Sequence, residues 1–257
     1  MISNSPIHQV TFLAIIFSVS LSIAQDSEYK EIEFDSLDGL KITADLYMKH
    51  DDKATPFIVL CHQARFSRGE YRNIAPKLNE LGFNCMAIDQ RSGQGVDKVT
   101  NETAKRATKE NKPTNFVDAE QDMVAALRYA QKNFAKGKLI LWGSSYSSSL
   151  AIRIAGEHID LIDGALSFAP GEYFRRGGKP ANWIAQSAAK AKCPIFITSG
   201  KNEFRQWQKI FDAINADGKT KFLPKTQGIH GSKALWESTT EHKEYWQATE
   251  SFLKQFQ

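Results

Sequence analysis

Three cysteines in 257 residues are too few for a disulfide framework, and their spacing fits no zinc site. Cys61 and Cys85 lie inside apolar, strand-like runs and Cys193 directly precedes another, so buried free thiols are expected. An excess of one charge sign is also missing: 33 basic residues stand against 29 acidic, a formal charge of +4 at pH 7. With no basic stripe carrying interleaved aromatics, a nucleic-acid partner is not expected. Repeats and low-complexity linkers are absent, which points to one domain. Residues 1–24 contain no Lys, Arg, Asp or Glu. Within them Val10 to Ala24 is an apolar block, shorter than the ~20 residues of a membrane span. It ends Ser22-Ile23-Ala24, with small side chains where a signal peptidase needs them. The pattern predicts a signal peptide over 1–24, cleaved before Gln25, and a secreted or periplasmic protein over 25–257 with no further membrane span.

What is present is a regular alternation. Glu31–Phe34 and Leu40–Met48 alternate polar and apolar residues around Asp38-Gly39, which predicts a β-hairpin with one solvated face. Phe57–Cys61, Phe83–Ile88, Lys138–Trp142, Gly164–Phe168, Pro194–Thr198 and Lys221–Thr226 are short runs suited to strands, the first apolar on both faces as in a central parallel strand. Helical spacing separates them at Tyr71–Leu81, Phe116–Phe134, the segments after Ser145 and Ala181, Phe204–Ala216, and the aromatic-rich C-terminus. Alternating strand and helix predicts a mainly parallel sheet covered on both faces. Gln90–Asn115 is polar and aperiodic and reads as a long loop. Its Asn101-Glu102-Thr103 matches a glycosylation sequon only as a chance pattern.

The chain is organised around Trp142-Gly143-Ser144-Ser145-Tyr146-Ser147, where a strand turns into a helix. A serine at such a turn projects its hydroxyl clear of both elements. The N–H of the next residue, Tyr146, then lies at a helix N-terminus, where it can stabilise an oxyanion. Strand and helix approach closely there, so the residues two before and two after must be small; Gly143 and Ser147 hold those places. A serine hydroxyl needs a histidine to take its proton and a carboxylate to orient that histidine. Both occur on loops after later strands: Glu203 in Ser199-Gly200-Lys201-Asn202-Glu203, and His230 in Gln227-Gly228-Ile229-His230-Gly231. Glu172, after the Gly164–Phe168 strand, is the rival acid.

A hairpin, alternating strands, Gly-x-Ser-x-small, then an acid and a Gly-flanked histidine together resemble the α/β-hydrolase fold, over essentially the whole of 25–257. The chain looks most like the compact branch around dienelactone hydrolases and small serine esterases, without a large lid domain. The resemblance implies Ser145 as nucleophile, Glu203 as acid and His230 as general base. It implies a second oxyanion donor in Cys61-His62-Gln63-Ala64-Arg65, where His62 matches the family histidine, Gln63 replaces the usual glycine, and Ala64 donates its N–H. Asp89-Gln90-Arg91-Ser92-Gly93 is similar to the family's structural Asp-x-Arg-Gly turn. His62, Gln63, Arg65 and Glu172 are the candidate substrate contacts, the basic residues near the site offering forked hydrogen bonds to an anionic group. The expected activity is ester hydrolysis through an acyl-enzyme, on a small-molecule substrate, with no metal or organic cofactor. Peptidase, lactonase and acyltransferase chemistry use the same parts. Gln63 and Ser147, each bulkier than glycine, keep open a catalytically inactive binding scaffold.

Overall fold

The computed structural model describes Met1 and residues 28–257; the rest of the expected signal peptide lies outside the described residues. The hairpin forms, Lys30–Asp35 (β1) pairing antiparallel with Lys41–Tyr47 (β2) through a turn in which Gly39 sits at φ 81°. The expected solvated face is confined to β1, however: β2 is buried on both faces from Ile42 to Tyr47, because Thr43 is covered by Thr103 and Asp45 by Arg68 and Arg72. Phe57–Cys61 (β3) follows, then Ala75–Glu80 (α1), whose first turn holds Pro76, and Asn84–Ile88 (β4). β4 joins β2 antiparallel and β3 parallel. Further along come Glu120–Asn133 (after Glu102–Lys109, described below), Leu139–Ser144, Tyr146–Glu157, Gly164–Phe168, Trp183–Ala188, Ile195–Thr198, Phe204–Ala213, Thr220–Phe222 and His242–Leu253.

Gln90–Asn115 is not a bare loop. It holds a two-residue ribbon, Gly95–Val96 (β5) with Val99–Thr100 (β6), and the helix Glu102–Lys109 (α2). The remaining elements are therefore α3 (Glu120–Asn133), β7 (Leu139–Ser144), α4 (Tyr146–Glu157), β8 (Gly164–Phe168), α5 (Trp183–Ala188), β9 (Ile195–Thr198), α6 (Phe204–Ala213), β10 (Thr220–Phe222) and α7 (His242–Leu253). The inward residues of α2 are Thr103, Ala104 and Ala107, too small and too polar to show a hydrophobic period. Asn101 caps this helix by accepting from the Ala104 N–H at 2.7 Å, and its amide donates to the Gln90 carbonyl at 2.8 Å. Its side chain is wholly buried in these bonds, so the sequon offers no acceptor for a glycan.

The main sheet has eight strands in the order β1-β2-β4-β3-β7-β8-β9-β10, parallel from β4 onward. Strands β3, β4, β7, β8 and β9 are buried along their whole length, and alternate residues divide between two cores. Phe57, Val59, Cys61, Leu139 and Leu141 face the core of α3, α4, α5 and α6, whereas Ile58, Leu60, Ile140 and Trp142 face that of α1 and α7. All three cysteines are free and buried. No helix among the described residues is long and apolar enough to cross a membrane.

Candidate active site

Ser145 stands where β7 ends and α4 begins, at φ 58° and ψ −121°. A non-glycine residue there is strained, and the surrounding structure must hold it. The Ser145 N–H donates to the Phe168 carbonyl on β8 at 2.7 Å. A Cβ on Gly143 would lie 2.3 Å from the Ser147 carbonyl, so only glycine permits this approach of strand and helix. Ser147 does not crowd the site. Its hydroxyl donates to the Cys61 carbonyl on β3 at 2.8 Å and accepts from the Ser144 N–H at 2.8 Å, tying the elbow to the neighbouring strand. Ser144, Ser147, Ser148 and Ser149 are wholly buried, whereas Ser145 keeps access to solvent.

The acid and the base are held by one another's loops. After β9, Ser199 and Gly200 lead into a short 3-10 turn ending at Glu203. Glu203 folds back so that Oε2 accepts from the Gly200 N–H at 3.0 Å and Oε1 meets His230 Nδ1 at 2.5 Å. This fold-back lets glutamate, one methylene longer than aspartate, meet His230 from this position. The Lys201 N–H donates to the Gln227 carbonyl at 2.8 Å. The Tyr245 hydroxyl of α7 donates to the Ser199 carbonyl and accepts from the Ile229 N–H. Gly231, at φ 76°, lets the base loop close on the elbow: a Cβ there would lie 2.3 Å from Gln63 Oε1 and 2.7 Å from Ser144 Oγ.

Ser145 and His230 open onto a shared cavity of about 690 Å³, with Gln63, Ala64, Arg65 and Phe116 also in its wall. Ala64 lies on the loop after β3 and shares the cavity wall with Ser145, and Tyr146 is the first residue of α4, directly after Ser145. Phe116 stacks on Tyr146 with ring centroids 4.5 Å apart and separates this cavity from a second, of about 300 Å³, lined by Tyr173, Phe174 and Arg176. Ala104 and Thr108 of α2 complete the roof of the first cavity.

A family model matches residues 52–192, more than half the chain, and its family is described as serine aminopeptidase, S33. The chain belongs to the S33 family. This S33 protein is thus a serine hydrolase of the α/β-hydrolase superfamily. A search of curated proteins gives no match. Among solved structures it is similar to the Pyrococcus furiosus esterase Pf2001, with a TM-score of 0.66 and 19% identity over 89% of this chain and 93% of that one. It is also similar to a dienelactone hydrolase from Anabaena variabilis, with a TM-score of 0.67 and 15% identity over 89% of this chain and 99% of that one. A third is Thermogutta terrifontis esterase 2, solved phosphoramylated by tabun, with a TM-score of 0.66 and 13% identity over 89% and 95%. These likenesses establish the fold.

Several candidate substrate contacts of the S33 hydrolase have other work. His62 is wholly buried, and its Nε2 accepts from the Gln90 N–H at 3.1 Å. Its proton therefore sits on Nδ1, which donates to the Gln63 carbonyl at 2.8 Å. Burial pulls its pKa down to about 4, leaving a neutral ring that shapes the oxyanion loop and does not meet substrate. Glu172 accepts from the Ile184 and Ala185 N–H groups at 2.9 and 3.0 Å, capping α5; it lines neither cavity, and it is Glu203 that meets His230. Arg68 is buried against Asp45, Asp89 and Glu31, and Arg91 against Asp122 and Asp38, which makes the Asp89–Gly93 turn structural as expected. Arg65 and Gln63 do line the cavity; Gln63 is nearly buried, and its Oε1 has no hydrogen-bond partner. Phe116 and Glu70 are contributors that sequence reasoning misses. Phe116 reads simply as the start of a helix, and no sequence motif singles out Glu70.

Proposed function

We propose that this S33 hydrolase cleaves a carboxylic ester through an acyl-enzyme on Ser145. His230 takes the serine proton through Nε2, and Glu203 holds Nδ1–H and stabilises the imidazolium that forms. The Tyr146 and Ala64 N–H groups receive the oxyanion, and a water activated by His230 then releases the acid. The observation that carries this reading is the 2.5 Å contact of His230 Nδ1 with Glu203, beside an accessible serine held at φ 58°.

The family's description names aminopeptidases, which must neutralise a substrate ammonium. Among the described residues lining the two cavities there is no aspartate or glutamate, while Arg65 and Arg176 are present. A cationic amino terminus would meet repulsion there, and an uncharged or anionic ester would not. Activity on phenyl acetate with none on alanine p-nitroanilide supports the ester reading; the reverse ranking defeats it. Export follows from residues 1–24 in the same proposal, and an intact mass for the secreted protein that begins at Gln25 is its test.

A further inference from the structure

Glu70 lies outside the proposed triad, yet its carboxylate bonds to the oxyanion loop and to the elbow, and through Ser144 reaches the base loop. It is wholly buried and forms no salt bridge among the described residues. Its Oε2 accepts from the Gln63 N–H at 2.8 Å, one residue before the oxyanion donor Ala64. Its Oε1 accepts from the Ser144 hydroxyl at 2.7 Å, one residue before the nucleophile. Ser144 Oγ in turn accepts from the Ser232 N–H at 2.8 Å, two residues after the base. The Ser232 hydroxyl accepts from Trp142 Nε1 at 2.9 Å, which fixes that end of the chain to β7. One buried carboxylate thus joins the oxyanion loop, the elbow and the base loop.

A buried carboxylate without a cation is costly, and a neutral side chain would fill the space at less expense. The donor directions explain why a carboxylate is needed. The Gln63 N–H and the Ser144 O–H both point at Glu70, and the Ser144 oxygen is already accepting from Ser232. A proton on Oε1 would reverse the bond to Ser144 and leave the serine hydrogen without an acceptor. A proton on Oε2 would oppose the Gln63 N–H.

We propose that ionised Glu70 is a positioning residue, holding the oxyanion loop and the base loop in register with Ser145 so that its loss lowers kcat with little change in KM. This rests on the reading of Ser145 and His230 as nucleophile and base. Burial pushes the Glu70 carboxyl up to about 7, against the stabilising hydrogen bonds from Gln63 and Ser144 and the nearby charges of His230 and Lys233. Tyr71 and Tyr146 also feel its charge, although their hydroxyls donate to the Cys61 and Ser92 carbonyls, and burial keeps both protonated. Glu70 therefore takes a proton in the neutral range, and the acid limb of log kcat/KM should be steeper than a single titrating group can make it, approaching a slope of 2.

The test compares wild type, Glu70→Gln and Ser144→Ala on phenyl acetate from pH 5 to 9, with folding checked by thermal melts and Ser145 labelling by a fluorophosphonate probe in wild type. Glu70→Gln should lower kcat on the order of 10- to 100-fold, the scale of small misplacements, leave KM within about threefold and reduce the acid limb to a slope of 1. Wild-type kcat and an unchanged limb in the folded variant would overturn the proposal. If Glu70→Gln does not fold, Ser144→Ala decides. Loss of the Ser144 hydrogen bond removes support for the charged carboxylate, so the acid limb should move to higher pH; an unmoved limb overturns the proposal. Failure of wild type to label at Ser145 defeats the reading of the site itself and is told apart by that step.

Discussion

Replacing Glu203 with glutamine changes one atom and should cost three to four powers of ten in kcat. The structure shows why. Glu203 Oε2 accepts from the Gly200 N–H and Oε1 meets His230 Nδ1. In Glu203→Gln the amide oxygen can keep the Gly200 bond, which turns the NH2 group toward Nδ1. A donor there forces Nδ1 to accept, so the imidazole proton moves to Nε2, the nitrogen that must be free to take the proton of Ser145. The variant also loses the negative charge that stabilises the imidazolium in the transition state. With the Glu203 side chain 17% exposed, that charge acts with little screening from water. The equivalent wrong-tautomer change in a serine protease costs about 10⁴ in kcat, or ~5.5 kcal/mol of barrier. The assay is steady-state hydrolysis of phenyl acetate beside Glu172→Gln, which should lose less than about threefold in kcat because Glu172 only caps α5. A Glu203→Gln enzyme within tenfold of wild type, or a collapse of Glu172→Gln instead, would refute the assignment.

Three further outcomes follow from the packing. Gly143→Ala places a Cβ against the Ser147 backbone, so it should lower stability by about 1–3 kcal/mol and abolish most activity, read from chemical denaturation and kcat. Ser147→Gly removes the hydroxyl that links Ser144 to Cys61, so it should cost ~1 kcal/mol of stability while activity persists, contrary to a crowded site. For His62, the unfolded ring binds a proton near pH 6.5 and the folded ring only near 4, so its contribution to stability is complete above 6.5 and lost as pH falls toward 4. Denaturation measured at pH 7 and pH 4.5 should show that decline, and nitrogen-15 NMR should show a neutral, Nδ1-protonated His62 at pH 6; a ring titrating near 6.5 would contradict the tautomer derived from Gln90.

Much of this was legible because close packing leaves few choices. Full burial of β3 and β7 requires continuous apolar runs, and the tight elbow requires Gly143, so these strands and the strand-to-helix turn at Ser145 could be read from residue type. The carboxylate that meets His230 was harder to pick out. Glu203 and Glu172 both follow strands of the sheet, and what separates them is the local fold-back of Glu203 on Gly200 against the amides of α5 reached by Glu172. Sequence patterns do not encode such long-range partners. α2 escaped notice because Thr103 and Ala107 bury little apolar surface, and the helix is held by its Asn101 cap and by Thr103 accepting from the Thr43 N–H. Glu70 was illegible for the same reason: its two partners, Gln63 and Ser144, meet it only in the folded chain.

The measurement that bears most directly on the account is the site of covalent capture. The purified protein is treated with a fluorophosphonate probe, digested, and the adduct located by mass spectrometry, with His230→Ala run in parallel. The account predicts one modified serine, Ser145, and loss of labelling when His230 is removed. A folded protein that stays unlabelled, or one that carries the adduct on another serine, would contradict it.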